Sequence, residues 1–263
     1  MMNSVSAWLL LAQVLVISTA QDVGRFAYKG SYFKMYYDVN EKKEVTLTVE
    51  VIKPLYVIDA IPGVAVRSFG SYPLRKDEGF TYTIDFENSG ITSADWHQSI
   101  YGFIVETVLF VPDRFYPADL TTLTYLTGDA FSVDLRGEHA RFLRVGGDLS
   151  PGEYVYEEPV SPHMRMIYKI YRDGTAGLQV ECKRIRTARF PHKLAGRETG
   201  FLYRRHVVEP VWEGPSWEGF LNQVRQVCPW KHQKPGDFEE VVVATEKTIY
   251  VAFEGVRLPL TKV

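Results

Sequence analysis

The sequence predicts a mainly β protein, an antiparallel sandwich or barrel-like curled sheet with one short C-terminal helix. Three observations carry that expectation. Glu44–Val51 and Phe80–Phe86 alternate strictly between apolar and polar residues, turn signals recur at short intervals, and a single stretch, Ser216–Cys228, has helical periodicity.

The elements follow in chain order. Ala7–Ile17 is an apolar core interrupted only by Gln13, and Ser18-Thr19-Ala20 supply small residues for cleavage before Gln21. Such a core would span about 16 Å as a helix, and a bilayer needs about 20 apolar residues. Residues 1–20 therefore read as a signal peptide, and no later apolar stretch is long enough to span a membrane as a helix. The expected product is secreted and extracellular, with no transmembrane segment in the mature chain. Residues 21–263 read as one β-rich domain, and the proline-bearing span 151–162 is where a subdivision would fall.

In Glu44–Val51, Val45, Leu47, Val49 and Val51 share one face. Leu55–Ile61 follows Pro54, and Val64–Phe69 follows the Pro62-Gly63 turn signal. Phe80–Phe86 places Phe80, Tyr82, Ile84 and Phe86 together. Tyr101–Val111 is the most hydrophobic stretch of the mature chain and reads as a central strand. Leu123–Leu126, Phe131–Leu135, Ala140–Val145 and Glu153–Glu157 are further short strands, and Arg144-Val-Gly-Gly-Asp148 reads as a turn. Met164–Arg172 and Ala176–Ile185 flank Asp173-Gly174, a strong hairpin signal. Glu240–Thr245 and Thr248–Phe253 form a second hairpin, and Arg257–Leu260 reads as an edge strand. In Ser216–Cys228, Phe220, Leu221, Val224, Val227 and Cys228 lie along one helical side, with Ser216 as the cap and Pro229 as the stop.

A composition of 46% hydrophobic and 14% aromatic residues excludes a disordered chain. The net charge of −2 conceals an asymmetry: residues 22–181 carry 16 basic and 23 acidic residues, and residues 182–263 carry 14 and 9. No Gly-x-Ser-x-Gly elbow, His-Glu-x-x-His pair or glycine-rich phosphate loop occurs, so no cofactor or metal is expected. The chain also lacks an Asn-x-Ser/Thr acceptor. Cys182 and Cys228 are the only cysteines and, in an oxidising compartment, should form one disulfide.

Two features suggest binding. The near-duplicated Trp-Glu-Gly units at 212–219 could offer Trp212 and Trp217 as an apolar platform, with Glu213 and Glu218 accepting hydroxyl hydrogens; the plainer reading is that the rings seal the helix against the sheet. Between Lys183 and Arg205, eight cations face one acid, Glu198. Arg184 and Arg186 are the best candidates for a shared face, joined by Arg204 or Arg205 if the strands are neighbours. An extracellular glycan, an anionic surface or a protein partner would suit such a patch, and nucleic acid would not. The plainer reading is that these charges balance the acidic first part. The leading expectation is thus a secreted recognition or structural protein. The alternatives are a secreted hydrolase assembled from separated strand ends, and a carrier holding a small molecule in a barrel lumen.

Overall fold

The structure, a computed structural model, describes residues 23–31, 33–52, 64–108, 115–199, 203–211 and 214–263. The leader, the expected strand Leu55–Ile61, and Trp212 and Glu213 lie outside the described residues. The chain divides into two compact units between Val145 and Gly146.

The N-terminal unit contains β1 (Gly24–Lys29), β2 (Phe33–Val39), β3 (Glu44–Ile52), β4 (Val64–Lys76), β5 (Thr81–Ile84), α1 (Ser93–Val108), β6 (Thr122–Thr127), β7 (Ala130–Leu135) and β8 (Glu138–Val145). Its strands pair in chain order, and β1 meets β8 (Ala27 opposite Leu143), closing an antiparallel barrel. The alternating face of β3 points inward, burying Val45, Leu47, Val49 and Val51. Aromatic rings fill the middle: Phe131 stacks on Phe142 at 5.3 Å, and Tyr37 lies 4.9 Å from Phe142. The strands β1 and β2 were not anticipated, although Phe33–Val39 buries every second side chain from Met35 onward.

The largest correction concerns Tyr101–Val111. Tyr101–Val108 form the second half of α1, and the remainder lies outside the described residues. Trp96, Ile100, Phe103 and Ile104 recur at helical spacing and are buried in the barrel's core cluster. The helix starts with a reciprocal cap: Asp95 N–H donates to Thr92 Oγ1 (3.2 Å), and Thr92 N–H donates to Asp95 Oδ2 (2.9 Å). An apolar run cannot by itself distinguish strand from buried helix.

The C-terminal unit contains β9 (Gly152–Glu157), β10 (Met164–Ile170), β11 (Thr175–Cys182), β12 (Ile185–Arg186), β13 (Phe190–Thr199), β14 (Tyr203–Pro210), α2 (Trp217–Val227), β15 (Glu240–Val243), β16 (Thr248–Phe253) and β17 (Val256–Lys262). Pairing runs β10-β9-β17-β16-β15-β14-β13-β11, and the β10–β11 pair closes the ring; β12 is a two-residue strand on the end of β11. The expected edge strand Arg257–Leu260 is therefore interior, because β17 pairs with β16 on one side and β9 on the other. With β12 set aside, both units have the same order: five antiparallel strands, one helix, then three strands.

The expected helix is α2. Ser216 Oγ accepts from Gly219 N–H (3.1 Å), and Phe220 and Val224 are buried. Phe220 stacks on Phe190 at 5.0 Å, and Phe238 lies 5.7 Å from Phe220 and 4.8 Å from Phe253. Cys228, at the helix end, is bonded to Cys182, at the end of β11.

Gly146 and Gly147 do not form the expected turn. β14 and β15 pair only at His206 with Val241 and Val207 with Glu240. Beyond that point Gly147 N–H donates to Val243 O (2.8 Å), and His206 Nε2 donates to Gly147 O (3.1 Å). A Cβ on Gly146 would stand 1.9 Å from the Arg204 carbonyl oxygen, so close backbone approach demands glycine there. Among the described residues, no helix is long and apolar enough to cross a membrane.

Candidate functional site

The turn between β11 and β12 brings two cations, unpaired among the described residues, together at adjacent positions. Cys182 pairs with Ile185, so Lys183 and Arg184 form a two-residue hairpin loop, with φ of +50° and +67°. Positive φ at both positions is the pattern that asparagine and glycine usually occupy, and a residue with a Cβ is strained there by about 1 kcal/mol. The surroundings hold the loop. Cys182 is tied to Cys228, Thr187 N–H donates to Val180 O (2.9 Å), and Thr187 Oγ1 accepts from Val180 N–H (3.1 Å). The Lys183 ammonium sits 4.6 Å above the Trp230 ring, an attraction to its negative face.

This turn forms one wall of a cleft of ≈ 410 Å³; Ser161, Pro162 and His163 of the β9–β10 connection form another. The cleft also contains three carboxylates, and each is paired with a cation, although the one that holds Glu158 is shared with Glu254. Register places Glu157, Arg165, Glu181 and Arg186 in a row across four strands, on one face. In that row Arg165 Nε lies 3.0 Å from Glu157 and Arg186 Nη2 lies 3.4 Å from Glu181. Glu158 is held by Lys231 at 2.7 Å, and Lys231 also reaches Glu254 at 3.2 Å. Burial disfavours the Lys231 charge, but the hydrogen bond to Glu158 and the two carboxylates outweigh it and raise its pKa above the usual lysine value. Lys183 and Arg184 have no carboxylate partner among the described residues. Two cations thus stand over a floor whose carboxylates are engaged by other cations, an arrangement suited to an anionic group.

The structure disperses the other expected arginines. Arg186 belongs to the charge row rather than to a face shared with Arg184. Arg204 pairs with Asp148, and Arg205 with Glu240. Both lie opposite the far end of β13, at Glu198 and Arg197, whereas β13 meets β11 at its beginning, Phe190 opposite Leu178. Eight residues of strand, about 26 Å, separate those two positions on β13.

Trp217 opens α2, half-buried against Phe190 (5.4 Å) and Phe220 (6.0 Å), and its remaining surface borders a separate cleft of ≈ 250 Å³ with Val207, Val208, Pro210 and Glu239. Glu218 does not join that cleft; it lies 3.4 Å from Arg225 on the outer side of the helix. Sequence reasoning missed Ser161, His163 and Arg165 as cleft residues. It also extended the strand Ala176–Ile185 through the turn, because Lys-Arg carries no turn signal. Among the described residues, no cluster of His, Cys, Asp and Glu could hold a metal ion. In comparisons with known proteins, the chain matches no family model and no curated protein.

Proposed function

We propose that this chain is an extracellular recognition protein that binds an anionic partner through the Lys183–Arg184 turn. The observation that carries the reading is the pair of exposed cations that have no carboxylate partner among the described residues, above a cleft whose three carboxylates are paired with other cations. The strained turn supports it, since strain of this kind persists where surrounding structure holds it and it concentrates at binding sites. The leader-like first twenty residues and the Cys182–Cys228 bridge support the compartment.

Lys183→Asn/Arg184→Gly is the discriminating variant, because it removes both charges and supplies the residues this turn prefers. It should be more stable than the natural chain by about 1–2 kcal/mol and should lose retention on immobilised heparin, used as a polyanion probe. The natural chain should elute above physiological ionic strength, about 0.15 M. Arg204→Ala/Arg205→Ala, at the far end of β13–β14, should leave retention nearly unchanged. A natural chain that passes through at low salt, or a turn variant retained as well as the natural chain, would refute the proposal.

A further inference from the structure

We infer that the anionic partner of this turn is a phospholipid surface, which docks on the tip formed by the β11–β12 turn and the β9–β10 connection. The inference rests on the reading above and adds one observation, the apolar residues beside the cations. Ile185, next to Arg184, is 63% exposed, and Val160, next to Ser161, is 45% exposed. Neither lines the cleft; each is the chain neighbour of a residue that does, Ile185 of Arg184 and Val160 of Ser161. A sulfated glycan offers sulfates to the cations but no acyl region for two aliphatic side chains. A bilayer offers both: anionic headgroups at the level of the cations and an acyl boundary just beneath. The cleft itself, at ≈ 410 Å³, has room for a headgroup phosphate between the turn and Ser161. Glu157 and Glu181 are each paired with an arginine and Glu158 shares Lys231 with Glu254, which leaves Lys183 and Arg184 as the cations that face an incoming anion.

The test is co-sedimentation of the mature full-length chain with vesicles of phosphatidylcholine alone or with about 30% phosphatidylserine. Binding should require the anionic lipid, and each cation should contribute about fivefold to partitioning. Val160→Ser/Ile185→Ser should weaken vesicle binding about tenfold while leaving heparin retention intact. Both positions are exposed, so an unchanged urea midpoint will show that the fold is retained. If the natural chain ignores phosphatidylserine vesicles, or the aliphatic variant binds them equally well, while heparin retention still depends on Lys183 and Arg184, the lipid inference is overturned and the anionic reading stands. If neither heparin nor vesicles are bound, both are overturned.

Discussion

Gly146 and Gly147 are chemically identical neighbours, yet their surroundings predict opposite sensitivity to one added methyl group. An alanine at 146 would place its Cβ 1.9 Å from the Arg204 carbonyl oxygen and 3.0 Å from the carbonyl carbon, both backbone atoms of β14. Neither can rotate away, so the segment has to move by about 1 Å. That movement breaks the Gly147 N–H bond to Val243 O (2.8 Å) and stretches the His206 bond to Gly147 O (3.1 Å). Each such loss costs about 1 kcal/mol net, and more where a buried group is left unsatisfied, so Gly146→Ala should destabilise the C-terminal unit by about 2–4 kcal/mol. At Gly147 the nearest atoms to a new Cβ are 3.6 Å away, ordinary contact. Gly147→Ala should therefore stay within about 0.5 kcal/mol. Urea unfolding of the full mature chain, followed by tryptophan fluorescence, reads both. With a slope of about 1.5 kcal/mol/M the midpoint should fall by roughly 1.3–2.7 M for Gly146→Ala alone. Equal midpoints for the two variants would show that the segment does not lie against β14 as described.

Three further outcomes follow from the C-terminal unit. Cys182→Ala/Cys228→Ala removes a bridge across 46 residues and should cost about 4 kcal/mol in urea unfolding, and the natural chain should expose two labelled thiols only after reduction. His192 is buried, and desolvation lowers its pKa to about 4 even though its Nδ1 donates to Phe190 O. The unfolded chain gains its proton near pH 6.5 and the native one does not, so stability is full above that pH and falls by about 3 kcal/mol as pH drops toward 4. Burial also lowers the pKa of His206, giving a slope of the same sign, so the check is the difference between natural chain and His192→Gln: the variant should lose distinctly less stability between pH 7.5 and 4.5. Trp217→Ala removes a half-buried ring from Phe190 and Phe220 and should cost about 2–3 kcal/mol. A loss below about 0.5 kcal/mol would favour a ligand platform over packing.

Much of the strand content was legible because alternation is local. The buried set Val45, Leu47, Val49 and Val51 could be read directly from Glu44–Val51. Ser216, the 3.6-residue spacing to Phe220 and Val224, and Pro229 likewise marked α2. Tyr101–Val108 reads as strand from the sequence because a mostly apolar run suits either conformation. The decisive signals, Trp96 and the Thr92–Asp95 cap, stand upstream of the apolar run. The candidate site was legible only in part. Eight cations between Lys183 and Arg205 were visible, but which of them would have carboxylate neighbours was not.

The sequence by itself determined the buried face of β3, the burial of Tyr82 and Ile84 in β5, where α2 begins and ends, and, with only two cysteines present, which pair could form the bridge. These depend on residue type and on spacings of two to four residues, which the backbone geometry of strand and helix converts directly into faces. Tertiary structure alone decided that β17 joins β9 to close a ring, and that the order of five strands, helix and three strands occurs twice. It also decided that Glu157, Arg165, Glu181 and Arg186 neutralise one another, leaving Lys183 and Arg184 with no carboxylate partner among the described residues. Those outcomes depend on register between segments distant in sequence, where a slip of one residue would turn every side chain to the opposite face.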